Sequence, residues 1–439
     1  MNQNMEEATI FYSSLALVFH FLGFNPPSLP VIAHLHLLIN PSLQRPFLEL
    51  SKKLGPVFSL QLGSLLAVVV SSLSLVEECF TKNDIVLANR PNLLLSKHLF
   101  YNHTTLITAP YGNYWRNLRR ICTIEIFSPN RINKFHGIRK DEMRRLLLKL
   151  SRNLHEVFAK VELKSLFADL TFNNLMRMMA GKRYYGEDVT DDSEAKEFRE
   201  LIAEVVENGG AGNPADYLPI LNWDGNYEKK LMELFKKMDD FLQGLIDEQS
   251  EPESYTDQII KGIILVLLLV GTDTSAVTVE WAMSNLLNNP EVLKKAKAEI
   301  DAQVGEERFI DETDITKLPY LRNIITSGDY TIGGYDVPGN SIVLINAWAI
   351  QRDPELWDDP TSFKPERFEK EGKDHGHTWA SIAHRMVNLA LGALIQCFEW
   401  KGLGDEEIDT TEGKGIIKPK VEPLKAMCKA RPILDKDLY

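Results

Sequence analysis

Residues 259–275 read IIKGIILVLLLVGTDTS, and this stretch decides the fold. Its apolar part, Ile259–Val270, shows no alternation of polar and apolar residues, so it does not describe a half-exposed strand. Crossing a bilayer takes roughly 17 to 25 apolar residues, so a run of this length belongs in a protein core. No proline interrupts the chain from there to Leu287, and the spacing predicts one long central helix. A helix that is apolar on all sides must be surrounded, and the flanking sequence supplies amphipathic helices to do it. Arg139–Phe158 sets Met143, Leu146, Leu147, Leu150 and Leu154 at helical spacing with charges opposite. Glu228–Ile246 and Pro290–Val304 behave similarly, the second entered through Asn289-Pro290 and lined with Glu and Lys. Strand signals are confined to Val57–Val70 and Tyr330–Ile345, where Gly333-Gly334 and Pro338-Gly339 mark turns. The expected fold class is mainly α with small β-sheets, in a single α-rich domain over residues 31–439.

Ahead of that domain, Ala8–Phe24 (ATIFYSSLALVFHFLGF) is apolar and stops before Pro26, Pro27 and Pro30. Residues 1–24 are therefore predicted to form a membrane anchor and residues 25–30 a proline hinge. A cleaved signal is disfavoured, because no charged leader precedes the run and no small-x-small site follows it. At 439 residues and 44% hydrophobic, the chain is too long and too apolar to be disordered. Its formal charge of -12 disfavours nucleic acid as a partner. Cys79, Cys122, Cys397 and Cys428 are scattered without CxxC spacing. They indicate neither a metal site nor a disulfide framework, and fit buried apolar positions in a reducing compartment.

Asp273 and Thr274 stand out in the apolar run, because an acid and a hydroxyl are costly to bury unless paired. They serve chemistry, or else Thr274 merely bonds back to the carbonyl four residues earlier. In Tyr114–Arg120 (YWRNLRR), Trp115 and Arg119 stand four apart on one helical face, a pattern that a basic surface helix also gives. Further along come Asn346–Pro354 (NAWAIQRDP), Phe363–Phe368 (FKPERF), Leu391–Trp400 (LGALIQCFEW) and Met427–Pro432 (MCKARP). In this order, and with Phe80–Asp84 and Asn173–Tyr185, these phrases resemble the plant cytochrome P450 family of haem-thiolate monooxygenases. The subgroup they resemble hydroxylates isoflavonoids and related phenolics.

The resemblance spans nearly the whole chain and implies specific roles. Asp273 and Thr274 would be the proton-delivery pair, at a local break in the central helix. Trp115 and Arg119 would bind a haem propionate, and Arg367 would belong to a three-residue ionic lock beside the haem. The resemblance further implies haem as cofactor, a small apolar or phenolic substrate, and electrons from an NADPH-dependent reductase. Arg116, Arg119 and Arg120 would suit an acidic partner. The expected location is the endoplasmic reticulum membrane, with the catalytic domain facing the cytosol.

The pattern breaks on the proximal haem side. The family's lock needs a Glu-x-x-Arg pair after Leu318–Ile325, but here Thr326-Ser327-Gly328-Asp329 runs straight into the strand region. The sequence holds a single Glu-x-x-Arg, Glu142 to Arg145, on an earlier helix. The family also carries a Phe-x-x-Gly-x-Arg-x-Cys-x-Gly loop whose thiolate binds iron and favours O–O cleavage. Glu369–Ala383 (EKEGKDHGHTWASIA) stands in its place without a cysteine. His375, His377 and His384 lie in or beside that loop, but an axial imidazole would lack the thiolate push. A third loss is expected near Gln249–Glu251. Such block removals match skipped coding segments. Two functions follow: the family's monooxygenation, or a catalytically inactive variant or mis-assigned product with at most a binding role.

Overall fold

The computed structural model describes residues 33–39, 43–152, 157–186, 189, 193–208, 214–222, 225–248, 255–325, 342–368, 381–404, 406–413 and 418–434. The predicted anchor and hinge lie outside these residues, as do positions 326–341 and 369–380. The strands among them are β1 (Val57–Leu62), β2 (Leu65–Val70), β3 (Ala159–Glu162), β4 (Ile342–Ile345), β5 (Phe398–Lys401) and β6 (Lys425–Ala430). The chain divides into two compact units. One comprises Met1–Leu93, Ala211–Glu228 and Asp329–Ser362; the other comprises Leu94–Gly210, Lys229–Gly328 and Phe363–Tyr439.

The first unit is built on a sheet of order β1-β2-β4. The predicted strand pair forms an antiparallel hairpin from Val57↔Val70 to Leu62↔Leu65, and β4 joins β2 in parallel. Gly63 holds the two-residue turn at φ 59°, and a Cβ there would lie 2.4 Å from the Tyr217 carbonyl oxygen, so only glycine fits. Both faces of the sheet are covered. Phe58, Leu60 and Val69 pack with Phe47 of α1 (Gln44–Leu54) and with Tyr217, while Val68 and Val70 pack with Leu75, Val76 and Ile350.

The second unit carries the helices. They include α2 (Asn113–Glu125), α3 (His136–Ser151), α4 (Lys164–Ala180), α5 (Ser193–Asn208), α6 (Asn226–Asp247), α7 (Asp257–Gly271), α8 (Asp273–Asn288), α9 (Pro290–Gln303), α10 (Pro319–Ile325) and α11 (Ser381–Cys397). A second sheet, order β3-β6-β5, is antiparallel throughout. The main core joins Leu146, Leu147 and Leu150 of α3, Phe167 of α4, Val279 and Met283 of α8, Ile300 of α9, Leu321 of α10 and Leu391 and Leu394 of α11. Each such side chain contributes roughly 1.5–3 kcal/mol on burial, so this cluster is what holds the helices together.

Two sequence expectations change. The central helix is two helices, interrupted at Thr272 with φ -86° and ψ -77°. Gly271 presses on α4 there, since a Cβ would meet Leu175 Cδ1 at 2.7 Å. Thr272 and Thr274 also donate their hydroxyls back to the Leu268 and Val270 carbonyls, a bond that bends helices. The helix expected over Arg139–Phe158 ends at Ser151, and the chain is drawn into β3 by pairing Ala159–Glu162 with β6. α11 in turn gives way to β5 after Cys397. Among the described residues, Asp257–Asn288 is the one helical stretch long and apolar enough to cross a membrane, and half of its most apolar window is buried within the protein.

Candidate active site

Asp273 opens α8 directly after the helix break. Burial pushes its carboxyl above the ordinary range, against the pull of the Arg199 and Lys164 charges. Its neighbour faces different surroundings. Thr274 lines a cavity of about 340 Å³ together with Val277, Thr278, Trp281, Ala282 and Asn285 of α8 and Ile324 and Ile325 at the end of α10. Asp273 is not among the lining residues, so the cavity is served by the hydroxyl and not by the acid.

Trp115 and Arg119 share one face of α2, with the Arg119 guanidinium 5.4 Å from the Trp115 ring centroid. The Trp115 indole N–H donates to the Leu106 carbonyl at 3.0 Å. Arg119 is exposed. Arg367 stands on a separate element, the tight turn Pro365–Phe368, which packs against α10. The neighbouring Glu366 accepts from Tyr320 Oη at 2.9 Å and from Lys295 Nζ at 2.5 Å. The structure thus brings Trp115 to Arg119 and sets Asp273 beside Thr274, while Arg367 sits on another element.

Glu142 and Arg145 do not form a lock with each other. Arg145 pairs with Asp141 at 3.0 Å, and buried Glu142 accepts from Arg177 at 2.6 Å and Arg183 at 2.7 Å. None of the four cysteines is in a disulfide, and all are buried. Burial pushes the thiols of Cys122 and Cys428 up to about 12, so both are held protonated. Cys122 sits among Phe127, Ile132 and Ile382. His384 is exposed on the first turn of α11, while His375 and His377 lie outside the described residues. No group of three or more His, Cys, Asp or Glu among the described residues is placed to hold a metal ion.

Several buried charges escaped notice in the sequence. Lys261, inside the same apolar run as Asp273, bonds Asp239 of α6 at 2.8 Å, and Asp239 also accepts from Tyr101 Oη at 2.8 Å. The signal was available, since a lysine in an apolar helix asks for a partner just as an acid does. Arg139 bonds Glu312 from a fully buried position, and Arg385 reaches the same carboxylate at 3.4 Å. Nothing in the sequence pairs residues so far apart. Glu280 is buried in α8 and accepts from the Leu424 N–H at 2.8 Å. Burial raises its pKa.

The mainly helical architecture is shared with solved structures. A zebrafish cytochrome P450, described as a structure with abiraterone, aligns with a TM-score of 0.73 over 88% of this chain and 99% of that one, at 21% identity. That likeness establishes the fold. The family model described as Cytochrome P450 matches residues 25–254, 236–326 and 325–425. Cytochrome P450 81Q32 of Catharanthus roseus is 50% identical, covering 98% of this chain and 99% of its own length. An isoflavone 2'-hydroxylase of Glycyrrhiza echinata is 47% identical over 98% and 97% of the two chains, and an isoflavone 3'-hydroxylase of Medicago truncatula 48% over 93% and 92%. The chain belongs to the cytochrome P450 family.

The same comparisons bear on two of the three breaks in the pattern. The family match comes in three pieces, whose joints fall at 236–254 and 325–326. These are the places where Gln249–Glu251 and Ile325–Gly328 break the pattern. The alignment to the Catharanthus relative runs over 502 positions, more than the 439 residues of this chain, so the relative carries segments absent here. Haem is the family's cofactor, and the family draws its electrons from a redox partner. The described residues do not fit the group. The family holds iron through a thiolate, yet each cysteine is packed in apolar surroundings or a strand, and none lines the cavity beside Thr274. The donor expected for a propionate, the Trp115 N–H, is engaged by Leu106.

Proposed function

We propose that this chain descends from a haem-dependent monooxygenase of plant secondary metabolism, one that hydroxylates isoflavonoids or related phenolics, and that it does not complete that reaction in this form. One observation carries the proposal: the segment that should present the iron ligand, Glu369–Ala383, holds no cysteine, and the four cysteines of the chain are buried elsewhere. The isoflavone hydroxylases among its relatives support the phenolic substrate class. In the ancestral activity Asp273 and Thr274 serve as the proton-delivery pair, with Trp115, Arg119 and Arg367 as the haem cradle. Residues 1–24 anchor the chain in the endoplasmic reticulum membrane, residues 25–30 form the hinge, and the remaining chain faces the cytosol and an NADPH-dependent reductase. The apolar character of Ala8–Phe24 supports that placement.

The test is to express the full chain, record its reduced CO-difference spectrum and measure haem as the pyridine haemochromogen. The expected result is substoichiometric haem and no Soret band of thiolate ligation. Such a band would overturn the proposal.

A further inference from the structure

Between the short helix Leu94–His98 and α2 the chain runs through turns, and there Tyr101, Asn102 and His103 take φ values of 50°, 55° and 60°. This is the left-handed region, which L-residues visit singly and not in series. Asn and His tolerate it, whereas for a side chain as bulky as tyrosine it is an outlier. Strain of this kind persists only where the surroundings over-determine it. The same turn leaves His103 Nδ1 buried without a hydrogen-bond partner among the described residues, a second cost of holding it in place.

What holds the turn lies on three helices. On α6, Phe235 and Asp239 stand four apart and share a face. The Tyr101 ring meets Phe235 edge-on at 5.3 Å, and Tyr101 Oη donates to Asp239 Oδ1 at 2.8 Å. On α7, Lys261 Nζ donates to the same Asp239 oxygen at 2.8 Å, and Gln258 Nε2 donates to Thr104 Oγ1 at 2.9 Å. A Cβ on Gly262 would lie 3.3 Å from Thr105 Cγ2, so the segment is seated directly on the α7 backbone. α2 adds Tyr114, whose hydroxyl donates to the Thr104 carbonyl at 3.1 Å, and Trp115, whose indole N–H donates to the Leu106 carbonyl. Buried Lys261 needs its counter-charge, so the Asp239 carboxylate is fixed where Tyr101 meets it. Burial and that carboxylate push the Tyr101 phenol well above its ordinary range, which keeps it a donor.

We propose that Leu99–Thr108 is a spring-loaded strap, in which Asp239, itself paired with Lys261, holds Tyr101 down and the left-handed turn drives the strap open when that bond is lost. Leu99, Phe100, Thr105 and Thr108 are buried while the strap is closed, and opening bares them. Opening also withdraws the Leu106 carbonyl from Trp115, so one carboxylate on α6 decides whether the indole N–H on α2 is engaged.

Hydrogen exchange of the full chain, read by mass spectrometry and corrected for intrinsic rates, tests the strap, because local opening shows in its own amides and not in the core. When the strap is closed, the Asn102, His103, Thr104 and Ala109 amides donate to the Lys97, Ser96, Phe100 and Thr105 carbonyls. Tyr101→Phe keeps the ring against Phe235 and removes only the bond to Asp239. Expected is about tenfold faster exchange in peptides covering the strap, from one hydrogen bond to a charged group, with α11 and the β3-β6-β5 sheet unchanged. Adding His103→Gly, which suits a φ of 60° and removes the unpartnered Nδ1, slows the strap's exchange again. A strap shut by packing alone would exchange faster on losing that side chain. Unchanged strap exchange in Tyr101→Phe, an equal acceleration in α11, or a further acceleration on adding His103→Gly overturns the proposal.

Discussion

Removing the charge of Glu312 tests whether the second unit is held by its buried ion pair. Arg139 is wholly buried, and its Nη2 bonds Glu312 Oε2 at 2.9 Å and the Ile132 carbonyl at 2.9 Å, while Nε bonds Glu312 Oε1. Arg385 Nη1 lies 3.4 Å from Glu312 Oε2 and 3.1 Å from Asn133 Oδ1. Glu312→Gln keeps the shape but leaves the Arg139 guanidinium in the interior without its counter-charge and turns an amide NH2 towards a donor. Breaking a buried pair on one side costs about 3–5 kcal/mol. The partly exposed Arg385 adds only about 0–1 kcal/mol. With a urea slope of about 2–3 kcal/mol/M, the unfolding midpoint falls by about 1–3 M. The double variant Arg139→Met/Glu312→Leu recovers most of the loss, because apolar replacement removes both desolvation penalties together. Urea denaturation followed by far-UV circular dichroism measures all three chains. The reasoning is refuted if the stability of Glu312→Gln extrapolated to water differs from that of the unaltered chain by no more than the extrapolation error of about 10–15%, or if the double variant is as unstable as the single one.

Three further predictions concern packing and titration. A Cβ at Gly392 would meet Ile310 Cδ1 at 2.6 Å and Leu321 Cδ2 at 3.1 Å, so Gly392→Val lowers stability by about 1–3 kcal/mol as overpacking does, and an unchanged melting temperature would contradict the close approach of α11. No thiol of the folded chain reacts readily with a chromogenic disulfide at neutral pH, because burial keeps Cys122 and Cys428 protonated, with pKa values of about 12, and also raises Cys79; one fast-reacting thiol in the folded protein would show that a cysteine is open to solvent. Glu280 has its pKa raised by burial, opposed by the Leu424 N–H and the Lys164 and Lys420 charges. Its stability contribution is therefore complete below the unfolded value of 4.5 and is lost as pH rises through the folded one. Glu280→Gln flattens that slope, so its stability gains on the unaltered chain from pH 4 to pH 8; parallel curves would show that Glu280 titrates as it does in water.

Helices with a one-sided apolar pattern were legible, and Glu228–Ile246 and Pro290–Val304 match α6 and α9 closely. The β1–β2 hairpin was legible from its β-branched residues and from Gly63, which are local signals. The second sheet was not. Ala159–Glu162 and Phe398–Lys401 become strands by pairing with Lys425–Ala430, the first of them from Ala159↔Cys428 to Glu162↔Lys425 across most of the chain, and four to six residues give too little pattern to reveal that. The interruption at Thr272 depends on contact between Gly271 and Leu175, which periodicity does not register. Of the site, Thr274 and the Trp115–Arg119 pair could be placed on their helices from spacing. What surrounds them could not, because the cavity wall at Ile324 and Ile325 is set by where α10 ends.

The contrast between a retained fold and a displaced chemistry has a physical source. The main core draws on α3, α4, α8, α9, α10, α11 and the second sheet, and every one of these elements is present among the described residues. Burial is non-directional and scales with area, so the remaining apolar faces still find partners when a segment between two helices is shortened. α10 illustrates it: only Pro319–Ile325 is helical before the joint at 325–326, yet Leu321 is fully buried and Ile324 nearly so. Iron ligation has no such tolerance, because it needs one thiolate at one position. On the proposed reading, losing that residue costs the fold little and the reaction everything, so 50% identity to a cytochrome P450 establishes ancestry while leaving the chemistry to be measured.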